Sequence, residues 1–136
     1  MFSILIKTVD DFALDLKRVE LLSQKILGRC FNKQAKVELS IFFVDEKFSH
    51  QLNLKLRQKD EPASVLTFCL QEQAGQAINF NTSPDGVLRL GDMVISPPVM
   101  DKKGLSLEEI LKHGIKSLLS RVPAEKLQGF GYQRNP

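Results

Sequence analysis

His50 and His113 are the only imidazoles in this chain of 136 residues, and that count limits its chemistry at once. A catalytic zinc centre takes three protein ligands, often three histidines, and leaves a position for the water whose pKa it lowers. Three imidazoles cannot be gathered here. Cysteine or carboxylate could substitute chemically, yet Cys30 and Cys69 lie far apart and form no CxxC pair. They read as reduced, with Cys69 a small core residue on a strand. His113 sits beside Lys112 and Lys116, whose like charge disfavours a bound cation. Metal-free acid–base chemistry would want an acid and a base near neutral pKa, and the two histidines fall on distant helices. No bound metal or other cofactor is expected.

Phosphate binding is better provided for. Lys55, Arg57 and Lys59 alternate just before Asp60, and the guanidinium fork of Arg57 suits phosphate better than an ammonium does. Asp60 could orient one of these cations. Equally, Arg57 could pair with Asp60, Glu61 or Asp92 and only hold a loop. From Ile110 to Pro136 five basic residues (Lys112, Lys116, Arg121, Lys126, Arg134) face one acid, Glu125. On a chain of net charge +3, that basic end suggests an anionic partner, usually nucleic acid. A solvated helix face and tail fit the composition as well.

The elements that must carry these residues follow from hydrophobic spacing. With 43% hydrophobic and 26% charged residues, residues 1–136 read as one globular domain. The opening run MFSILIKTVDD is too short for a signal peptide or a membrane span; a cytoplasmic protein with no membrane partner is expected. Phe2–Thr8 reads as a strand. Asp10 or Asp11 caps a helix with Phe12, Leu16, Val19, Leu22 and Ile26 inward, ending near Gly28 to Asn32. Lys36–Val44 is a strand buried on both faces from Leu39 onward. Asp45 caps a second helix whose buried stripe is Phe48, Leu52 and Leu56, with His50 on the surface. Pro62 keeps the charged loop Arg57–Pro62 from being helical.

Val65–Gln71 and Leu88–Ser96 read as strands joined by a long loop, Gln73–Gly86, and Pro97-Pro98 ends the second of them. Gly91 marks a close backbone approach. Ser106 and Glu109 form a capping-box pattern for a helix Ser106–Val122. Its face of Leu107, Leu111, Ile115, Leu118 and Val122 turns inward, and Pro123 stops it. The order β-α-β-α-β-β-α describes an α/β (α+β) domain: a mixed four-stranded sheet covered by helices.

Three segments carry a family resemblance. Leu52–Phe68 (LNLKLRQKDEPASVLTF) is similar to a pattern LNxxYRxKDxPTDVLSF. Leu90–Ser96 (LGDMVIS) is similar to LGDIVIS, and His113-Gly114 stands where HGxLHLxGYDH would begin. Together they resemble the YbeY-type endoribonucleases of bacterial ribosome biogenesis. The resemblance implies rRNA or a ribosomal subunit as partner, not DNA, and gives the arginine matching Arg57 a functional role at the phosphate backbone. Ala63-Ser64 departs from the usual Thr-Asp or Thr-Asn.

The resemblance also implies zinc on the three motif histidines, and here the chain departs from the family. Aligning His113-Gly114 puts Ser117 and Pro123 at the second and third ligands. A gap-free alignment of the helix start puts Ser117 at the first and keeps none. Only His113 can be matched. The expectation is an RNA-binding relative without zinc catalysis, its surface joining Arg57 and Lys59 to Lys112, Lys116 and Arg121. An endoribonuclease with an unorthodox site at His113, and a protein-binding module retaining only the fold, are the alternatives.

Overall fold

Alternation along Val37–Phe43 (β2) turns Val37, Leu39, Ile41 and Phe43 to one face, where all four are buried. Phe2–Thr8 (β1), Val65–Phe68 (β3) and Leu88–Ile95 (β4) complete a sheet in the order β1-β2-β4-β3. β1 and β4 run parallel to β2, and β3 runs antiparallel to β4. The sheet is therefore mixed and four-stranded, as its sequence pattern implies. The structure is a computed structural model that describes residues 1–68 and 86–133. The expected strand end at Cys69–Gln71, the rest of the expected loop up to Asp85, and Arg134 lie outside the described residues. Cys30 is a free thiol.

Five helices accompany the strands among the described residues: Leu16–Cys30 (α1), Glu46–Arg57 (α2), Pro97–Lys102 (α3), Leu107–Leu119 (α4) and Ala124–Gln128 (α5). The main core joins Val19 and Leu27 of α1 and Leu111, Ile115 and Leu118 of α4 to Leu39, Ile41, Met93 and Ile95 of the sheet. A smaller cluster of Val44, Ala63, Leu66 and Val94 lies on the other face, with Phe42, Leu52 and Phe68 against it. None of these helices is long and apolar enough to cross a membrane.

Helix α4 sets where the site residues point. The Ser106–Glu109 capping box forms as expected: the Glu109 N–H donates to Ser106 Oγ, and the Ser106 N–H donates to Glu109 Oε1. The hydrogen bonds hold the Glu109 carboxylate below its ordinary pKa. Leu111, Ile115, Leu118 and Val122 are buried, and Leu107 is half-buried. Gly114 lies so close to the sheet that a Cβ there would sit 2.5 Å from Met93 Sδ. Gly91 is the sheet's counterpart. The register steps from Glu38↔Arg89 to Leu39↔Gly91, leaving Leu90 as an extra residue in a bulge. Gly91 has φ +130°, and a Cβ there would meet Phe68 O at 2.9 Å and Leu118 Cδ2 at 3.0 Å. The close approach expected of Gly91 is present.

Four expectations need correction. The first helix is capped by Asp15, whose side chain accepts from the Arg18 N–H. Asp10 and Asp11 instead accept from the N–H groups of Asp11 and Ala13 in a preceding turn, and the helix cannot pass through Ala13, at φ 57°. Phe12 reaches the core from that irregular segment, while Leu16 is exposed. Burial of β2 is complete on one face only, because Glu38, Ser40 and Phe42 are half-exposed. Pro97-Pro98 opens α3 rather than merely ending β4; the first helical turn lacks N–H partners anyway and tolerates proline. Lastly, α4 ends at Leu119, and Pro123 caps α5.

Replacing Gly91 by Ala should cost about 1–3 kcal/mol, because it adds a strained φ to a clash with backbone. Gly86→Ala, at φ +77° but with nothing within 4 Å, should cost less. Leu111→Ala or Leu118→Ala should cost ~2–5 kcal/mol. Urea melts of the four variants check this, and equal midpoints for the two glycine variants would remove the close-approach argument.

Candidate functional site

The loop that carries the phosphate-binding motif is held by the polar side of α2. Asp45 caps this helix, accepting from the Phe48 N–H at 2.7 Å, as its sequence implies. Its buried face differs from the expected stripe. Phe48 is 47% exposed, whereas Ser49 and Asn53 are buried at 1% and 2%; Leu52 and Leu56 are half-buried. The Ser49 hydroxyl bonds Ala63 O and accepts the Ala63 N–H at 2.9 Å, and Asn53 Nδ2 donates to Glu61 O at 2.7 Å. These bonds satisfy loop groups that burial would otherwise leave unpaired, which is why polar residues take the inward positions. His50 Nε2 meets Asp60 Oδ1 at 2.7 Å on the outer side. Gln58 closes the helix in the left-handed conformation, at φ 60°.

Arg57, expected in the loop, is instead the last residue of α2, and with Lys59 just beyond the helix end it lines a cleft of about 500 Å³, which Lys103, Glu109 and His113 also line. No described residue is bonded to the Arg57 side chain, so the expected alternative in which Asp60, Glu61 or Asp92 holds it is not realised. Asp60 is engaged with His50 instead. Lys103 follows α3, a helix that the proline pair concealed in the sequence. His113 is exposed on α4.

The remaining basic residues lie elsewhere. Lys112 and Lys116 line a second groove, with Arg29 of α1 and Leu127 of α5. Arg121 turns back on the sheet, where its Nη1 donates to Thr67 O at 2.9 Å. Ser117, expected on the polar side of its helix, is half-buried and shares a 2.8 Å hydrogen bond with Thr67 Oγ1. Phase explains this: Ser117 lies three residues beyond buried Gly114, so it turns toward β3. Sequence reading missed Ser49, Asn53, Thr67 and Lys103; the two buried polar residues spaced four apart on α2 were the available signal. Among the described residues, no group of three or more His, Cys, Asp or Glu is arranged to hold a metal ion.

The chain matches the family model described as endoribonuclease YbeY over residues 5–120. Curated relatives carry the same description. One from Acinetobacter baumannii is 33% identical over 135 residues, covering 85% of this chain and 80% of that protein. One from Lactobacillus helveticus is 36% identical over 89 residues, covering 64% and 49%, and one from Aquifex aeolicus is 37% identical over 91 residues, covering 61% and 54%. The chain thus spans about half the length of several of the curated relatives it matches. A solution structure from Thermotoga maritima aligns with 93% of this chain and 85% of its own at 18% identity and a TM-score of 0.49.

Asp92, in the LGDMVIS segment, gives a prediction with a definite sign. Burial raises its carboxyl pKa, so the folded chain holds that proton to higher pH than the unfolded chain does. Stability from this group is lost as pH rises above the ordinary carboxylate range, where only the unfolded chain releases the proton freely. Asp92→Asn should therefore raise the melting temperature at neutral pH, and the gain should close below the ordinary carboxylate range. Melting curves of both proteins across pH test it; a constant offset would show that ionisation plays no part.

Proposed function

The chain belongs to the YbeY endoribonuclease family, and on that premise we propose that it binds RNA in ribosomal RNA maturation, without zinc-dependent cleavage, through the cleft that holds Arg57 and Lys59. The observation that carries this reading is Arg57 itself: a guanidinium on the last residue of α2, beside a pinned loop, with no described residue bonded to it. Such a fork donates to two phosphate oxygens at once, and the end of α2 already restricts its backbone. Lys59 and Lys103 add positive charge around it. The ribosomal subunit, or rRNA within it, is the proposed partner.

Zinc does not fit the residues present. The family motif would hold it with three imidazoles, and this chain has two, His50 and His113. His50 is bonded to Asp60. Ser117 spends its hydroxyl on Thr67, and Pro123 offers no side-chain donor. Nor, among the described residues, is an acid–base pair assembled at His113 for metal-free cleavage: Glu109 lies one turn away, but that carboxylate is bonded into the helix cap.

RNA affinity should fall with salt at about −0.7 per phosphate contact for single strands. Arg57→Ala should weaken binding by ~1–3 kcal/mol, with Arg57→Lys recovering only part, whereas alanine at both Lys112 and Lys116 should change it little. Fluorescence anisotropy with a single-stranded RNA across a salt series supplies these numbers. Flat salt dependence, with wild type and Arg57→Ala indistinguishable, would sink the reading. Ribonuclease assays with and without chelator, beside elemental analysis, test the second half: chelator-sensitive cleavage with about one zinc per chain would overturn it.

A further inference from the structure

Helices α1 and α4 pack on one face of the sheet, while α2 covers the other only in part, leaving Leu5 at 52% exposed. Strand register puts Lys7, Phe42, Val94 and Leu66 in one row across that second face, and Leu5, Ser40, Asp92 and Phe68 in the next. Val94 and Leu66 are buried, but Phe42 and Phe68 are only half-buried and Phe48 of α2 is 47% exposed. These three rings, from three different elements, line one hollow of about 500 Å³ whose polar residues are Lys7, Thr8 and Asp92. Asp92 is half-buried beside Phe68, and no described residue is bonded to its carboxylate. Burial without a partner disfavours the charge and raises its pKa. A carboxylate that the fold holds at a cost, inside an apolar hollow, marks a place for a ligand. No phenylalanine or tyrosine lines the Arg57 cleft, so that cleft offers charge to a phosphate but no such ring to a base.

We propose that this hollow is a base-binding site that takes an unpaired guanine of single-stranded RNA. The inference rests on the RNA reading above and gives the base a site of its own, since no residue lines both the hollow and the cleft. Single-stranded RNA is recognised by stacking splayed bases on aromatic rings and by hydrogen bonds to their edges. The phenylalanines supply the platform, and Asp92 supplies the edge. An ionised carboxylate only accepts, through two oxygens. Among the four bases, guanine alone presents two adjacent donors, N1–H and N2–H, on its Watson–Crick edge. Lys7 is exposed beside Phe42, where it would meet the phosphate of the same nucleotide. A purely apolar partner fits less well, because it would finish burying the Asp92 carboxylate without pairing it.

The test uses the full chain carrying Phe48→Trp. The chain has no tryptophan, so one indole at the exposed edge of the hollow reports stacking by quenching of its own fluorescence. The probes are the pentaribonucleotide UUGUU, its analogue with central inosine (guanine without the 2-amino group), and UUUUU. The guanine probe should quench the reporter and bind about tenfold more tightly than the inosine probe, which lacks one charge-assisted hydrogen bond. Fluorescence anisotropy on the unsubstituted chain should give the same ratio. Asp92→Asn, expected above to be the more stable protein, should bring that ratio to about one. Arg57→Ala should weaken all three probes alike and keep the ratio. Salt-dependent RNA binding without quenching, equal affinity for guanine and inosine, or a ratio unmoved by Asp92→Asn would each overturn the guanine site and leave the Arg57 cleft standing. No RNA binding at all would sink both. Emission of the free variant that shifts to the blue as the protein is concentrated would put a second copy on this face and overturn the proposal as well.

Discussion

The contact on which the site depends is the close approach of Gly114 in α4 to Met93 in β4. The Met93 side chain fills the space that a Cβ on Gly114 would take, so α4 packs on β4 with Gly114 facing the sheet. Everything the helix presents follows from that rotation. His113 turns outward beside the Arg57 cleft, Ser117 turns toward Thr67, and Lys112 and Lys116 line the other groove. Two basic surfaces result where charge counting along the chain suggested one. Leu111, Ile115 and Leu118 hold the same rotation from the apolar side.

The second determinant is the inward polar face of α2. A helix that buries serine and asparagine rather than leucine gives up hydrophobic stabilisation at those positions. In return it gains hydrogen bonds to a backbone segment that no strand or helix satisfies. Ser49 and Asn53 hold Ala63 and Glu61, and His50 holds Asp60. The cationic residues before that segment are thereby carried on a constrained backbone, which lowers the conformational entropy lost when they meet a phosphate. Phe48 is left half-exposed at the edge of the smaller cluster, a direct consequence of the rotation that buries Ser49.

Between these two helices, β3 is stitched to α4 by neutral and charge-assisted hydrogen bonds. The Thr67 hydroxyl shares a hydrogen bond with the Ser117 hydroxyl, and the Thr67 carbonyl accepts from Arg121, just past the end of α4. These bonds hold the end of α4 and the turn after it against the sheet edge, with Arg121 still exposed. A guanidinium that donates to a backbone carbonyl contributes to the fold through geometry, and its charge counts in solution only as part of the wider field.

Local signals along the chain specify the strands, the mixed sheet, the caps at Asp45 and Ser106, the inward face of α4 and the close approach at Gly91. Those signals are alternation, helical spacing, capping chemistry and glycine. Composition also dictates that three imidazoles cannot meet, since two residues cannot supply three ligands. Which side of α2 is buried depends on the folded chain, because the Ser49–Ala63 and Asn53–Glu61 bonds join residues that spacing along one helix cannot relate. The fold likewise divides the basic residues between two grooves, since that division depends on what packs beside each flank of α4. The start of α1 was hidden for a similar reason: Asp10, Asp11 and Asp15 are all competent caps, and the choice fell to Asp15 through a left-handed turn at Ala13 that no local propensity favours.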